Sequence, residues 1–346
     1  MTIHFASPDQ IEDWDTHILS NPDHGNVFQS YEFAQQKRLG SWIPRFIMAG
    51  NTAITVLEKR SFGFYKLWYL PKGPGVSTIR QLDDLLPALK DFAQKNGVFA
   101  IKIEPELLKK EETLADLMKL SLKRVRPIQP NFSTVTLDIS PDLDVVMARL
   151  NQKGRHAIHR AERDGVIAKR VEATDENCNI MYDLLAETAA DSFNIRDKEY
   201  YVRFWKRYAE ANLGQLFFAY FEDKPVAGAF ALIFGKKSTY KDGASVRERT
   251  AYGASHLLQW EVITWAKERG AIIHDLCGAP PSDQINNPDH PHYGIGRFKT
   301  SFNKEVTDYI GAYDVVINPT LYSLWEKLGE RIALRLHYTL HHDSYY

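Results

Sequence analysis

Hydrophobic and polar positions along the chain fall into two stretches that share one order of elements. In the first, apolar runs predict strands at Trp42–Met48, Ala53–Lys59 and Tyr65–Leu70. A Pro/Gly break at Pro71-Lys72-Gly73-Pro74-Gly75 follows, then a helix over Ile79–Asn96 and a strand over Phe99–Glu104. In the second, Leu216–Phe221 and Val226–Phe234 predict a hairpin turning at Glu222-Asp223-Lys224-Pro225. A strand at Lys237–Lys241, a helix over Ala254–Arg269 and a strand at Ile272–Cys277 complete it. Trp68 lies 35 positions before Ile103, and Thr239 lies 35 positions before His274, so the spacing argues for a duplicated unit. Strands that lead through a crossover helix to another strand give an α/β or α+β domain with a mixed sheet.

The helices have readable faces. Leu257, Leu258, Val262, Trp265 and Ala266 recur at helical spacing, and Gly270 follows as a left-handed cap. Leu86, Leu89, Phe92 and Ala93 do the same in the first stretch, which ends at Asn96-Gly97. Between the two stretches, Asp144–Arg163 reads as one helix, and Tyr322–Leu340 as an amphipathic helix with Lys327, Arg331 and Arg335 on its polar side.

A length of 346 residues suits two domains. They are expected at 1–148 and 149–317, with the segment 318–346 packing back on the first. The formal charge of −1 supplies no bulk attraction to a polyanion, so phosphate must be met by local patches. One such patch runs from Lys153 to Arg170, with six Lys/Arg against two acids and with Lys153, Arg155, Arg160 and Arg163 on the central helix. Its plainer reading is a solvated helix face. Two cysteines, Cys178 and Cys277, are too few for a disulfide framework. With no basic, apolar leader and no run near the length of a spanning helix, the expected location is the cytoplasm, with peripheral contact at the inner membrane face.

Several chemistries find no support. There is no Gly-x-Ser-x-Gly elbow, no phosphate-binding Walker loop and no Gly-x-Gly-x-x-Gly after a strand. No set of His, Cys and carboxylates has metal-ligand spacing, so no metal or other cofactor is expected. The repeated unit has the element order of an acetyltransferase-like domain, which makes an acyl-CoA-dependent N-acyltransferase the alternative reading. Such enzymes hold a pyrophosphate on the backbone N–H groups of a Gly-rich loop at a helix start. Here that position reads Arg247-Glu248-Arg249-Thr250-Ala251-Tyr252-Gly253-Ala254, with a large Tyr252 where close approach needs a small residue. In the first stretch Pro74 lacks an N–H altogether.

Four segments in order resemble the Fem family of non-ribosomal peptidyltransferases. They are Phe28-Gln29-Ser30-Tyr31-Glu32-Phe33-Ala34-Gln35-Gln36-Lys37, the basic helix from Lys153-Gly154-Arg155 through Arg160-Ala161-Glu162, the stretch Gly253–Gly270, and Gly294-Ile295-Gly296-Arg297-Phe298-Lys299-Thr300-Ser301-Phe302. The resemblance implies two tandem acetyltransferase-like domains and transfer of an amino acid of the Gly, Ala or Ser class. The donor would be aminoacyl-tRNA and the acceptor the stem-peptide amine of a lipid-linked or nucleotide-linked peptidoglycan precursor. A monomer is expected. Some members carry a coiled-coil arm, for which Tyr200 to Leu216 leaves no room.

Carried onto this chain, the resemblance places Lys37 and Arg196 on the precursor diphosphate, with Tyr200 on the same helical face as Arg196 and Tyr240 as a further precursor contact. Asp242 stands where the family's Tyr-x-Tyr-Gly segment has its second tyrosine. Phe298 and Lys299 match the position proposed to act at the aminoacyl ester, where an ammonium would stabilise an oxyanion. Lys153, Arg155, Arg160 and Arg163 would meet tRNA phosphate. Glu104 matches a family acid–Pro pair, usually Asp, and is the candidate base for the attacking amine, with substrate-assisted transfer as the other option. One cleft would hold both substrates, making their encounter effectively intramolecular.

Overall fold

The computed structural model describes residues 1–61, 65–129, 132–189, 195–248 and 251–341. The chain divides into two compact units, one formed by Met1–Phe132 with Asp308 onward, the other by Ser133–Thr307. Each has the sheet-and-helix order of an acetyltransferase-like domain.

In the first unit a seven-stranded mixed sheet runs in the spatial order Ile3–Phe5, Ile43–Ala49, Thr52–Arg60, Lys66–Leu70, Val98–Ile103, Ala312–Val316, Lys123–Val125. The helix Ile79–Lys95 makes the crossover to the one parallel pairing of that sheet, Lys66–Leu70 with Val98–Ile103. Thr78 caps its start by accepting from the Gln81 N–H. Leu82, Leu85, Leu86, Leu89 and Ala93 share one buried cluster with Ile54, Val56, Trp68, Leu70, Ile101 and Ile103.

The second unit repeats the plan with six strands in the order Thr136–Asp138, Ile273–Asp275, Lys237–Ser245, Lys224–Phe234, Gly214–Phe221, Ile167–Val171. The helix Ala254–Glu268 crosses to Ile273–Asp275, which pairs parallel with Lys237–Ser245. Ala227, Ala229 and Ala231 point to one face of the central strand and keep it shallow. Leu257, Leu258, Val262 and Ala266 share a buried cluster with them.

Two expectations shift. The boundary lies at 132/133 rather than 148/149, because Thr136–Asp138 pairs antiparallel with Ile273–Asp275. The chain rejoins the first unit at Asp308 rather than 318, because Ala312–Val316 pairs antiparallel with Val98–Ile103. Without these strands each crossover strand would be a bare edge, and edges are usually covered. The equal 35-residue spacing is not the ladder register either. Trp68 pairs with Ile101 and Thr239 with Asp275, offsets of 33 and 36.

The central helix is also two helices, Leu143–Arg149 and Gln152–Arg163. Leu150 and Asn151 turn extended (ψ 152° and 142°), and the Asn151 side chain caps the second helix by accepting from the Lys153 N–H. The helix Lys198–Glu210 leads to the strand Gly214–Phe221 with no inserted arm. At the C-terminal end, Pro319–Leu324, a π turn at Trp325–Gly329 and Glu330–His341 form one continuous helical segment. Among the described residues no helix is long and apolar enough to cross a membrane.

Candidate active site

In both units a charged side chain is held at the carboxyl end of the parallel crossover strand, where open α/β sheets characteristically bind ligands. In the second unit the group is Lys299. Asp275 ends the strand, and its Oδ1 accepts from Thr134 Oγ1 at 2.5 Å and from the Cys277 N–H at 2.8 Å. This fixes a corner in which Cys277 has φ +57°. The carbonyls of that corner face Lys299, whose buried Nζ donates to Cys277 O and, at 2.6 Å, to Gly278 O. Burial holds the Lys299 ammonium below the usual lysine pKa of 10.5, while the nearby Cys277 and Asp275 charges act the other way. Two carbonyl acceptors leave one N–H of an ammonium for a further acceptor.

Phe298 is half-buried, edge-on to Phe302 (5.4 Å between centroids) and to His256 (4.9 Å). Ser301 Oγ donates to the Phe298 carbonyl and lies 3.1 Å from His256 Nε2, which therefore carries the proton of that contact. Burial depresses the His256 pKa to about 4, so the imidazole is neutral at physiological pH. Gly296 sets the helix Tyr293–Lys299 against the preceding loop, since a Cβ there would meet Ile285 and Pro280 within 3.0 Å.

The basic helix packs directly on this segment. A Cβ on Gly154 would lie 2.3 Å from Ser301 O, and Asn151 Nδ2 donates to Thr300 O at 3.4 Å. The helix's four cations differ in what they do. Arg155 donates to Ala148 O and Leu150 O, closing the end of the preceding helix, which gives it a structural task that the sequence does not reveal. Arg160 is shared between Asp164 (3.3 Å) and the Tyr252 ring (4.5 Å). Lys153 and Arg163 are exposed, and neither has an ion pair among the described residues.

The start of the helix Ala254–Glu268 matters for the acyl-CoA alternative. Gly253 takes φ +80°, and a Cβ there would lie 2.1 Å from Ala157 O. A carbonyl oxygen thus stands close to that helix N-terminus. Arg249 and Thr250 of the same loop lie outside the described residues.

Arg196 and Tyr200 come together, but not as helical neighbours. Asp197 caps the helix Lys198–Glu210 by accepting from the Tyr200 N–H, so Arg196 lies just outside it. Its guanidinium sits 4.5 Å from the Tyr200 ring centroid. Tyr240 packs against the second core with its hydroxyl over Gly243, where any Cβ would clash at 1.7 Å. Burial first, then the Asp242 charge, raises its phenol pKa.

One group was not picked out as a site from sequence. A bulge opposite Phe230 and Ala231 leaves Lys241 unpaired in the ladder, and Lys241 Nζ meets Asp242 Oδ1 at 2.9 Å. Asp242 Oδ2 accepts from Trp205 Nε1 at 2.9 Å. Burial is the largest influence and works against the Lys241 charge, but Asp242, Tyr201 and Tyr200 together outweigh it and raise the lysine pKa. Asp242 thus serves at once as the ion-pair partner of Lys241 and the acceptor for the Trp205 indole.

In the first unit Glu104 follows the strand Val98–Ile103 and is 4% exposed. Its carboxylate accepts from Tyr69 Oη at 2.7 Å, from the Gln129 N–H at 3.3 Å and from the Ile128 N–H. The hollow beside it, lined by Lys72, Pro105, Gln129 and Tyr309 among others, measures about 10 Å³, enough for at most one water. Lys37 is buried in the last turn of the helix Tyr31–Arg38, 5.6 Å from the Phe33 ring, where a cation suits the helix dipole. Its neighbour Gln36 is buried, and neither amide atom has a hydrogen-bond partner among the described residues. Among the described residues no group of three or more His, Cys, Asp or Glu is placed to hold a metal ion.

Comparison with known proteins gives a consistent picture. The model of the FemAB family matches residues 120–222 and 211–329. The lipid II:glycine glycyltransferase of Staphylococcus epidermidis is 25% identical over 399 aligned positions, covering 92% of this chain and 94% of that protein. The one from Staphylococcus aureus MRSA252 is 23% identical, covering 93% and 95%. The alignments are longer than the 346 residues of this chain, so these relatives carry insertions that it lacks. Among solved structures, FemX aligns with a TM-score of 0.81 at 21% identity, covering 94% of this chain and all of FemX. The C-terminal domain of a putative lysylphosphatidylglycerol synthetase from Agrobacterium fabrum aligns at 0.54 with 14% identity, covering 94% and 96%.

Proposed function

This chain belongs to the FemAB family, and on that footing we propose that it is a transferase that moves an amino acid from aminoacyl-tRNA to the stem-peptide amine of a peptidoglycan precursor. Relatives that align over nearly their whole length are lipid II:glycine glycyltransferases, which favours glycine as the transferred group and a lipid-linked muropeptide as acceptor.

The observation that carries the reading is the setting of Lys299. Its ammonium is oriented by the Cys277 and Gly278 carbonyls, with one N–H left for an oxygen that gains charge. Amine attack on the aminoacyl ester makes a tetrahedral oxyanion, and its collapse forms the amide and releases the tRNA ribose hydroxyl. Lys299 would stabilise the oxyanion, and Phe298 would hold the segment against His256 and Phe302. Asp275 positions the corner that grips Lys299. Lys153 and Arg163 are the proposed contacts to tRNA phosphate, with Arg160 contributing through its shared pair.

Glu104 is proposed as a positioning residue. Its three accepted hydrogen bonds fix the Ile128–Gln129 backbone, and the adjoining hollow is too small for an amine-bearing peptide. The amine's proton then leaves through the substrate or solvent. In the first unit Lys37, beside the unpartnered Gln36 amide, is proposed for precursor phosphate. In the second, Arg196 held on Tyr200 is proposed for the same class of group, with Tyr240, on the strand that bears Lys241 and Asp242, as a further precursor contact.

The acyl-CoA alternative is disfavoured by the Ala157 carbonyl at the start of the helix Ala254–Glu268, where a pyrophosphate would need unobstructed N–H groups. The test is donor choice. Purified protein is given a muropeptide acceptor with either charged tRNA or acetyl-CoA, each labelled in the acyl group. Label should pass from tRNA alone, and label passing only from acetyl-CoA would overturn the reading.

A further inference from the structure

We propose that the C-terminal helical segment, Pro319–His341, is a docking element for an anionic lipid surface. Leu324, Leu328, Ile332 and Leu336 are 46%, 58%, 52% and 56% exposed and follow one another at intervals of four residues. In an unbroken α-helix such a series drifts by about 40° per step. The π turn at Trp325–Gly329 widens the helix within the series and offsets that drift, so the four side chains form one stripe about 18 Å long. Tyr322 and Trp325, by contrast, are buried in the first unit, with Tyr322 Oη donating to Asp314 Oδ2 at 2.8 Å and Trp325 5.7 Å from the Phe99 ring. The segment is therefore anchored on one side and leaves an apolar stripe on another.

The charges are sorted to match. Lys327, Arg331 and Arg335 are exposed at the same four-residue interval, and none has an ion pair among the described residues. Of the two acids of the segment, half-exposed Glu326 pairs with Lys123, and the charge of Glu330 acts on buried Asp314 and Tyr322. Tyr338, 63% exposed, adds an amphipathic ring of the kind that settles at headgroup level. An apolar stripe flanked by unneutralised cations, with Glu326 already paired to Lys123, complements an anionic bilayer surface better than another protein. The inference rests on the proposed function only for its purpose, which is to bring the enzyme to a lipid-linked acceptor.

The experiment is co-sedimentation of the full chain with vesicles of phosphatidylcholine alone and of phosphatidylcholine mixed with phosphatidylglycerol. Binding is expected to the mixed vesicles only and to weaken with salt. It should fall on the order of twentyfold in Arg331→Ala/Arg335→Ala, at about fivefold per cation, and vanish in Ile332→Glu/Leu336→Glu. Melting curves and transfer to a water-soluble nucleotide-linked muropeptide serve as folding controls and should be unchanged in these variants. Absence of wild-type binding, or equal binding by folded variants, would overturn the proposal. So would a wild-type dimer that Ile332→Glu dissolves without any vesicle binding, because the stripe would then belong to a second copy. The assay contains no substrate, so vesicle binding without transfer would sink the proposed function and leave the docking element standing.

Discussion

The alpha carbon of Gly154 faces the Ser301 carbonyl so closely that a methyl group on it would lie 2.3 Å from the oxygen. That contact joins the basic helix Gln152–Arg163 to the segment that carries Phe298 and Lys299. Gly154→Ala is therefore expected to destabilise the second unit by about 1–3 kcal/mol, although alanine favours a helix over glycine by about 1 kcal/mol. Urea unfolding measures the first effect. Transfer by the folded fraction should drop as well, because the strain is relieved by moving the Lys299 segment.

Lys299 makes transfer pH-dependent with a definite sign. Its pKa lies below the usual 10.5 because burial disfavours the ammonium. An ammonium that must stay charged then fails as pH rises through that lowered value, giving an alkaline limb earlier than a free lysine would. Lys299→Arg, whose guanidinium stays charged throughout, should retain part of the rate and move the alkaline limb upward. An alkaline limb that stays in place would assign it to another group.

The cations of the basic helix should separate into two classes. Lys153→Ala and Arg163→Ala should weaken binding of tRNA and reduce the magnitude of its logarithmic salt slope by about 0.7–0.9 each, leaving stability unchanged. Arg155→Ala should lower stability, since it strips the donors from Ala148 O and Leu150 O, and should leave the salt slope nearly intact. Filter binding at several salt concentrations, paired with melting curves, reads both.

For Glu104, substitution by Gln keeps an oxygen for the Ile128 and Gln129 N–H groups and an amide that can donate to Tyr69 Oη. Glu104→Gln is expected to retain transfer within about tenfold, whereas loss of a general base typically costs about a hundredfold or more. Glu104→Ala should be the more damaging change, by about 1–3 kcal/mol of stability, because it orphans buried donors.

Much of the fold was legible because its signals were long. The apolar runs at 216–221 and 226–234, and the face of Leu257, Leu258, Val262 and Trp265, are strong periodic patterns, and the structure forms those elements. The strands Thr136–Asp138 and Ala312–Val316 span only 3 and 5 residues, too few to show a period, so the boundary at 148 came sixteen residues late. The break at Leu150-Asn151 was hidden because an asparagine cap inside a helical pattern looks like an ordinary polar position. For the candidate site, the family resemblance pointed to Lys299, but nothing in the sequence gives the Asp275 side chain to the Cys277 N–H. Arg155 read as a phosphate ligand because composition records charge and not what the charge touches. Lys241 was passed over because only the bulge opposite Phe230 and Ala231 aims it at Asp242.

The most direct measurement follows the acyl group itself. Muropeptide acceptor is incubated with glycyl-tRNA and the wild-type protein or Lys299→Ala, and the product mass is read in a single turnover. The account predicts an acceptor heavier by one glycyl residue, a yield abolished by ribonuclease, and a rate about a hundred- to a thousandfold lower in Lys299→Ala that is still folded. Glycyl transfer at the wild-type rate by that folded variant would contradict it.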